Sequence, residues 1–253
     1  MKYAIFSDVH SNYEALKTFL NYIDSNPKPQ LICLGDMTGY SSRPNECIQW
    51  LLERETPWVM GNHDYAVFCE KERENFNSFA LDVIEWQAGV LLPEYLDVLK
   101  SLPFTLQINK IASITHSDFS APKEFLYVNS SEEAKKSMNA MPTPLGFFGH
   151  THIPVVYTQP ADSSDIEGKD IGMICVEENE FTLNLDESFR YLVNPGSIGQ
   201  PRDGDPRSSF VIWDAEKKQL IFRRLEYDYR AESQHMRDAN IPSMLAERIL
   251  EGY

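Results

Sequence analysis

The chain of 253 residues carries 23 Lys and Arg against 38 Asp and Glu, which gives a formal net charge of −15. This charge disfavours binding to bulk nucleic acid or to an anionic membrane surface, because both are held by clustered Lys and Arg. A hydrophobic content of 42% with 24% charged residues is typical of a folded globular protein. The length fits one large domain.

The first apolar run of the chain, residues 3–6, is too short for the core of a signal peptide. No other segment is long and apolar enough for a transmembrane helix. We therefore expect a soluble protein located in the cytoplasm.

The N-terminal part of the chain predicts alternating strands and helices. The predicted elements are strands at residues 3–6, 31–34 and 58–60, a helix at about 13–23 and a helix that opens near Pro44. Pro27 and Pro29 are expected to end the first helix. Because the strands are continuous apolar runs, they favour a parallel sheet with helices on both faces.

The next stretch, about residues 65–101, has helical periodicity and several aromatic residues, which at this spacing favour a core position over a surface that stacks on a base. The second half is rich in strands. These are predicted at 104–108, 111–115, 146–148, 155–158, 171–176, 181–185, 191–193, 210–213 and 220–225, with a turn at 161–165 and a helix at 242–250. Without a clear linker, we predict one domain over residues 1–253 with a helical insertion at about 65–101.

Short polar clusters follow several predicted strands. They are Asp8-Val9-His10, Gly35-Asp36, Gly61-Asn62-His63-Asp64, Thr115-His116 and Gly149-His150-Thr151-His152. Carboxyl ends of parallel strands converge at one edge of a sheet, and residues two apart reach the same side of a strand. Each cluster alone is compatible with a polar turn. Together their carboxylate, amide and imidazole groups suit Mn²⁺, Fe or Zn²⁺.

This ordered set, D-x-H, G-D, G-N-H-D, H and G-H-x-H over residues 8–152, resembles the calcineurin-like metallophosphoesterase superfamily. The later sequence Asn194-Pro195-Gly196-Ser197, followed by Pro201-Arg202, is similar to the small prokaryotic phosphodiesterase branch. The resemblance implies an α/β fold, a four-layer αββα sandwich with two mixed β-sheets.

The resemblance also implies two divalent metal ions, with Mn²⁺ as the first choice and Fe, Zn²⁺, Co²⁺, Ni²⁺ or Mg²⁺ as alternatives. The implied ligands are Asp8, His10 and His152 for one ion, Asn62, His116 and His150 for the other, and Asp36 as a bridge. His63 would be a catalytic residue near the scissile phosphate, protonated near neutral pH and oriented by Asp64. Two divalent ions would make the pocket locally positive within an acidic chain.

The implied function is a binuclear metal-dependent phosphoesterase that hydrolyses a small phosphodiester or nucleotide-like substrate through a metal-activated hydroxide. A dinucleoside polyphosphate hydrolase, a phosphomonoesterase and a non-catalytic scaffold of the same fold are the alternatives. A protein phosphatase is disfavoured, because the sequence from Gly35 to Tyr40 lacks the arginine of the G-D-x-V-D-R-G motif. Arg202 either binds a second phosphate of the substrate or stabilises its loop through backbone carbonyls. The oligomeric state stays open.

Overall fold

The computed structural model describes residues 1–25, 28–163 and 170–253. Pro27, expected to end the first helix, lies outside these residues, as do Ser164 and Asp165 of the predicted turn at 161–165.

Strands and helices alternate at first, and strands dominate later. The strands are β1 (Lys2–Phe6), β2 (Gln30–Cys33), β3 (Thr105–Ile108), β4 (Ala112–Thr115), β5 (Leu145–Phe147), β6 (Val155–Pro160), β7 (Gly172–Cys175), β8 (Glu180–Asn184), β9 (Phe189–Asn194), β10 (Ser208–Asp214) and β11 (Gln219–Leu225). The helices are α1 (Tyr13–Asp24), α2 (Pro44–Glu53), α3 (Asn62–Ala66), α4 (Glu70–Arg73), α5 (Ser78–Val90), α6 (Pro93–Ser101), α7 (Ser131–Ala140), α8 (Tyr229–Asp238) and α9 (Ser243–Glu251).

The described strands form two mixed sheets, as the resemblance implies. The first has the order β2-β1-β10-β11-β8, in which only β1 and β2 pair in parallel. The second has the order β3-β4-β5-β9-β6-β7, with parallel pairs at β4-β5 and β5-β9. The predicted sandwich of two mixed sheets is therefore confirmed.

The two faces of the first sheet explain its continuous apolar strands. In β1, Tyr3 and Ile5 pack into the core between the two sheets, whereas Ala4 and Phe6 pack against the helices. Successive side chains of a strand point to opposite faces, so a strand buried on both faces is apolar throughout. The expectation of helices on both faces of one sheet was wrong, because the second sheet covers the inner face.

The second sheet has the complementary arrangement. In β9, Tyr191 and Val193 face the inter-sheet core, and Leu192 faces a separate cluster that contains Ala134 and Met138 of α7. Helix α7 thus forms the outer layer on this side and completes the αββα order. Helix α7 was not predicted from the sequence. Its apolar stripe, which includes Ala134 and Met138, is narrow, and most of its remaining residues are polar.

The predicted strand at residues 58–60 was wrong as a regular strand. The segment pairs with β2 only through a single parallel bridge between Cys33 and Trp58. Pro57 has no N–H group to donate, and the amide of Met60 turns away to the carbonyl of Pro103 at 2.8 Å. The pairing therefore ends after one step.

The stretch predicted as a helical insertion carries α4, α5 and α6. Ile84 and Leu99 pack into the helix-side core of the first sheet, whereas Ala80 and Val83 pack against the C-terminal helices. Within the described part of the chain, no helix combines the length and apolar character needed to span a bilayer.

Candidate metal centre

The loops that follow β1 and β2 stay hydrogen-bonded beyond the strand ends. The amide of Asp8 donates to the carbonyl of Gly35 at 3.1 Å, and the amide of His10 donates to that of Asp36 at 2.9 Å. Asp8, His10 and Asp36 have positive φ angles of 55°, 50° and 55°. Non-glycine residues rarely adopt this left-handed region, and such strain concentrates at functional sites. These side chains therefore meet through left-handed turns and not through the strand alternation that the sequence suggested.

His150 and His152 follow β5 and have the same unusual backbone, with φ angles of 66° and 63°. The side-chain amide of Asn194 donates to the carbonyl of Gly149 at 2.7 Å and to the hydroxyl of Thr151 at 3.0 Å. These two bonds hold the turn against the end of β9.

The sequence Asn194-Pro195-Gly196-Ser197 has a structural role at the centre. The Ser197 hydroxyl donates to the carbonyl of Asp8 at 2.8 Å, and the Gly199 amide donates to the same carbonyl at 3.0 Å. A Cβ atom on Gly199 would lie 1.8 Å from the carbonyl oxygen of Val9, so only glycine fits there. This loop fixes the turn that carries Asp8.

The first group of candidate ligands combines Asp8, His10 and His152, all of which are buried. The Nε2 atoms of His10 and His152 lie 3.0 Å apart. Asp8 Oδ1 lies 3.2 Å from His152 Nε2 and 3.8 Å from His10 Nε2. Three donor atoms from β1 and β5 loops thus converge on one small volume.

The second group combines Asp36, His116 and His150, with Asn62 beside them. His116 Nε2 lies 3.3 Å from Asp36 Oδ2 and 3.2 Å from Asn62 Oδ1. Asp36 Oδ2 also lies 3.6 Å from Nε2 of His10 in the first group. Asp36 is therefore positioned between the two groups.

Backbone carbonyls set the tautomer of the histidines. Nδ1 of His10 lies 2.8 Å from the carbonyl oxygen of Thr38, and Nδ1 of His116 lies 2.8 Å from that of Leu34. Nδ1 of His152 contacts the carbonyl oxygen of Gln200 in the same way. Because a carbonyl only accepts, each Nδ1 carries a proton, and in the neutral form each ring turns an Nε2 lone pair inward. This arrangement is usual around histidines that bind metals.

Burial and mutual charge shift the pKa values of the histidines. Burial lowers the pKa of His10 and His150 well below the usual range. Burial and the charge of Arg202 lower the pKa of His152 to about 4. These imidazoles are neutral at pH 7, the form in which histidine binds a metal.

The pKa values of the two carboxylates, Asp36 and Asp8, are shifted in opposite directions. Burial raises the pKa of Asp36 to about 6. Burial also acts on Asp8, but the neighbouring His152 outweighs it and holds the pKa of Asp8 well below its usual range. For His116, the charge of Asp36 outweighs burial and raises the pKa of the imidazole to about 9.

The donor set fits a pair of divalent cations. Nε2 of His150 is buried and has no hydrogen-bond partner among the described residues. The inward lone pairs and carboxylate oxygens form a nitrogen and oxygen set without thiolates, which suits Mn²⁺, Fe or Zn²⁺.

His63 lies beside this centre in a packed aromatic environment. Its ring centroid is 4.5 Å from that of Tyr40 and 4.7 Å from that of Phe76. Gly39 has a φ of 97°, and a Cβ atom on it would lie 2.3 Å from His63 Nδ1. Burial, followed by the charge of Arg202, lowers the pKa of His63 well below the usual range. Burial thus favours the neutral form of His63 over the protonated form expected from the sequence.

Asp64 does not have the orienting role that the sequence suggested. Its Oδ1 accepts hydrogen bonds from the amide and hydroxyl of Thr38 at 2.9 and 3.0 Å, and its Oδ2 accepts from the Gly61 amide at 3.4 Å. Nδ1 of His63 has no hydrogen-bond partner in the described part of the chain. Helix α3 begins at Asn62, so consecutive residues point in different directions, and Asp64 instead holds the loop after Asp36.

A small cavity of about 90 Å³ opens onto the centre. It is lined by Asp36, Tyr40, Asn62, His63, Asn75, Phe76, Asn77, Tyr127, His150, His152 and Arg202. Arg202 donates through Nη2 to the Tyr40 hydroxyl at 3.2 Å and to Gln200 Oε1 at 3.0 Å. Neither acceptor is a backbone carbonyl, so the loop-stabilising alternative for Arg202 has no support in these contacts.

Sequence reasoning missed several residues of the site. Tyr127 lies against His150, with ring centroids 4.1 Å apart, and Tyr40 separates His63 from Arg202. Both come from loops whose sequence carries no periodic signal. Phe76 lines the cavity although its helical context favoured a core position.

Comparisons with known proteins agree with this geometry. The model of the calcineurin-like phosphoesterase superfamily domain matches residues 1–218. The chain belongs to the calcineurin-like phosphoesterase superfamily. Membership implies phosphoester hydrolase activity and the use of divalent metal ions, for which the clustered histidines and carboxylates are candidate ligands.

Individual relatives extend the similarity over the whole chain. An uncharacterised protein of Methanocaldococcus jannaschii is 33% identical over 98% of this chain and 97% of its own. The crystal structure of a metallophosphoesterase from Sphaerobacter thermophilus has a TM-score of 0.84 and 31% identity, covering 100% of this chain and 99% of that one. A hypothetical protein from Pyrococcus horikoshii shares the fold, with a TM-score of 0.77, 16% identity and coverage of 100% and 98%.

Proposed function

We propose that this chain is a binuclear metal-dependent phosphoesterase that hydrolyses a small phosphodiester or nucleotide-like substrate. One observation carries the proposal. Nε2 of His10 and Nε2 of His152 face each other at 3.0 Å, and Asp36 lies between them and the second group of donors. A shared carboxylate between two clusters of imidazoles is the ligand arrangement that a pair of divalent ions needs.

The ligand assignment follows the two groups. One ion would be held by Asp8, His10 and His152, the other by Asn62, His116 and His150, and Asp36 would serve both. When bound, the two ions lower the pKa of a water molecule and neutralise charge on the phosphoryl oxygens. We take Mn²⁺ as the first candidate, since mixed nitrogen and oxygen ligands suit it.

His63 acts on the scissile phosphate in this proposal. Its imidazole lines the cavity beside Asp36 and Asn62, and its backbone amide donates to Asp36 Oδ1 at 2.9 Å. The neutral ring has one N–H group, which it donates to a phosphoryl oxygen. Packing against Tyr40 and Phe76 fixes the ring in place, so little conformational entropy is lost on binding.

The size and charge of the protein support a small substrate. The cavity of about 90 Å³ holds a phosphoryl group and little more, so most of the leaving group stays outside. The net charge of −15 opposes binding of a long polyanion, while the metal ions create positive charge only inside the pocket.

The test is hydrolysis of a chromogenic phosphodiester and the matching monoester by metal-stripped protein, with Mn²⁺, Zn²⁺, Mg²⁺ or no metal added. We expect Mn²⁺ to restore diesterase activity, His63→Ala to lower it by at least about a hundredfold, and His235→Ala to leave it unchanged. His235 is the matched control, because its side chain is 45% exposed on α8.

Each other outcome selects an alternative. Faster hydrolysis of the monoester indicates a phosphomonoesterase. If protein that binds two ions per chain hydrolyses neither substrate, dinucleoside polyphosphates are the substrates to assay next. A protein that neither hydrolyses these substrates nor binds metal contradicts the proposal, and a non-catalytic scaffold is then the remaining alternative.

A further inference from the structure

We propose that Arg202 and Tyr40 form a second anion-binding subsite beside the candidate metal centre. This subsite selects phosphorylated compounds that carry another negatively charged group close to the scissile phosphate. The inference rests on the proposed function, since it narrows the substrate class of the same site.

Arg202 has donors that the protein does not use. Only its Nη2 group is hydrogen-bonded, to the Tyr40 hydroxyl and to Gln200 Oε1. Nε is buried without a partner among the described residues. A guanidinium with free N–H groups at the wall of a cavity is suited to a carboxylate or phosphate.

In the described part of the chain, carboxylates neutralise six of the eleven arginines, and Arg202 is not among the six. Arg43, Arg54, Arg207, Arg223, Arg224 and Arg237 all form ion pairs with Asp or Glu. No carboxylate in the described ranges lies within ion-pair distance of Arg202. Burial, followed by the charge of Arg202, lowers the pKa of the nearby Arg248, so two guanidinium groups lie near each other within a chain of net charge −15.

Tyr40 connects this arginine to the centre. Its ring lies 4.5 Å from that of His63 and 4.7 Å from that of His10, measured between centroids. Its hydroxyl accepts a hydrogen bond from Arg202 and keeps its own proton to donate. Burial raises the pKa of Tyr40, so the hydroxyl stays neutral and remains a donor.

The loop that carries Tyr40 is rigid. The side chain of Gln87 is fully buried and accepts from the Gly39 amide at 2.7 Å, while its NH₂ group donates to the Ser41 carbonyl at 2.7 Å. The Ser41 amide donates to the carbonyl of His10 at 3.1 Å. Tyr40 is thus fixed on both sides, and the subsite is formed before the ligand binds.

Arg202 forms no hydrogen bond with the side chain of a candidate metal ligand among the described residues. Its hydrogen bonds go to Tyr40 and Gln200, and Gln200 is linked to His152 only through its backbone carbonyl. The subsite is therefore next to the metal centre and distinct from it. A ligand that reaches both must present two anionic groups on a short connection.

The experiment measures binding to the Mn²⁺-loaded protein by calorimetry. Phosphonoacetate, which has a second anionic group, is compared with its neutral amide, phosphonoacetamide. We expect phosphonoacetate to bind about tenfold more tightly to the wild type, as a charge-assisted contact predicts. Arg202→Met brings this ratio close to one, Arg202→Lys retains part of it, and Tyr40→Phe reduces it. Arg230→Met, which removes an exposed arginine on α8, leaves it unchanged.

Two results would contradict the subsite. One is a wild type that binds phosphonoacetate and phosphonoacetamide with nearly equal affinity, and the other is an Arg202→Met variant in which the binding of both ligands is weakened equally. The second result would mean that Arg202 binds the scissile group itself. Turnover of the chromogenic diester in the same preparations separates the two proposals. A preserved ratio in protein that hydrolyses neither the diester, the monoester nor a dinucleoside polyphosphate contradicts only the proposed function, whereas turnover with equal binding of the two ligands contradicts only the subsite.

Discussion

Nε2 of His10 and Nε2 of His152 lie 3.0 Å apart, although the two residues are 142 positions apart in the chain. Both rings direct Nδ1 to a backbone carbonyl, that of Thr38 for His10 and that of Gln200 for His152. Each neutral imidazole therefore presents a lone pair to the other. Two facing lone pairs repel unless a cation lies beside them, so the folded protein is prepared for a metal ion.

Metal binding should stabilise the protein, because it relieves this repulsion. At a free Mn²⁺ concentration of about 100 times Kd, we expect about 2.7 kcal/mol of added stability, which raises Tm by about 5 to 10 °C. Thermal unfolding of chelator-treated protein with and without Mn²⁺ measures the shift. An unchanged Tm would contradict the metal assignment.

Asp36→Asn should remove activity while the protein stays folded. Asp36 lies between the two groups, and an amide carries no charge to balance two cations. We expect turnover of the diester to fall by at least about a thousandfold, with an unchanged circular dichroism spectrum. Asp82→Asn, an exposed position on α5, is the matched control and should keep full activity. Wild-type turnover in Asp36→Asn would refute the bridging role.

Gly39→Ala should displace His63. The new Cβ would lie 2.3 Å from His63 Nδ1, at a φ of 97° that strains any residue with a side chain. We expect a loss of about 1 to 3 kcal/mol in stability and at least a tenfold loss in kcat. Gly89→Ala, in helix α5 with open space around it, should instead stabilise by up to about 1 kcal/mol. Equal effects of the two substitutions on kcat would contradict the role of Gly39.

The metal-free protein should lose stability in acid. The pKa values of His10, His63, His150 and His152 are all lowered in the folded state, the last to about 4. The unfolded chain therefore binds more protons below pH 6.5, and the stability present above that pH is lost as the pH falls.

Asp36, with its pKa raised to about 6, and Asp64, whose pKa burial also raises, oppose this trend, and His116, with a pKa of about 9, opposes it above about pH 6.5. The four histidines outnumber these groups, so the net loss continues below pH 6. Urea unfolding in the presence of a chelator from pH 7 to 5 measures the slope, and His63→Gln should flatten it. A stability that is constant or rises toward pH 5 would be inconsistent with these shifts.

Most of the candidate ligands lie in short polar segments that come shortly after a strand. Asp8, Asp36 and His116 come within three residues of strand ends, and parallel neighbours bring such ends together. The division of the ligands into two groups was implied by the family resemblance that the order of these motifs carries. What the sequence did not predict is the left-handed backbone at Asp8 and Asp36, since local patterns favour extended strand ends.

Contacts between distant loops were beyond prediction from local patterns. Gln87 was part of a helix with no polar motif, yet it holds the Gly39–Ser41 loop 46 to 48 positions away. Asp64 was predicted to orient His63 because the two residues are adjacent in the sequence. Both lie in the short helix α3, in which consecutive side chains point in different directions. The second sheet was likewise not predicted from strand patterns, because an apolar strand is compatible with a helix or a sheet on either face.

The central claim is that one chain holds two metal ions through a shared Asp36. The most direct test is equilibrium dialysis of the metal-stripped protein against excess Mn²⁺, followed by elemental analysis of the bound metal per chain. We predict two ions per chain for the wild type and for Asp82→Asn, and fewer than one for Asp36→Asn. A wild type that binds one ion or none, or an Asp36→Asn variant that still binds two, would contradict the account.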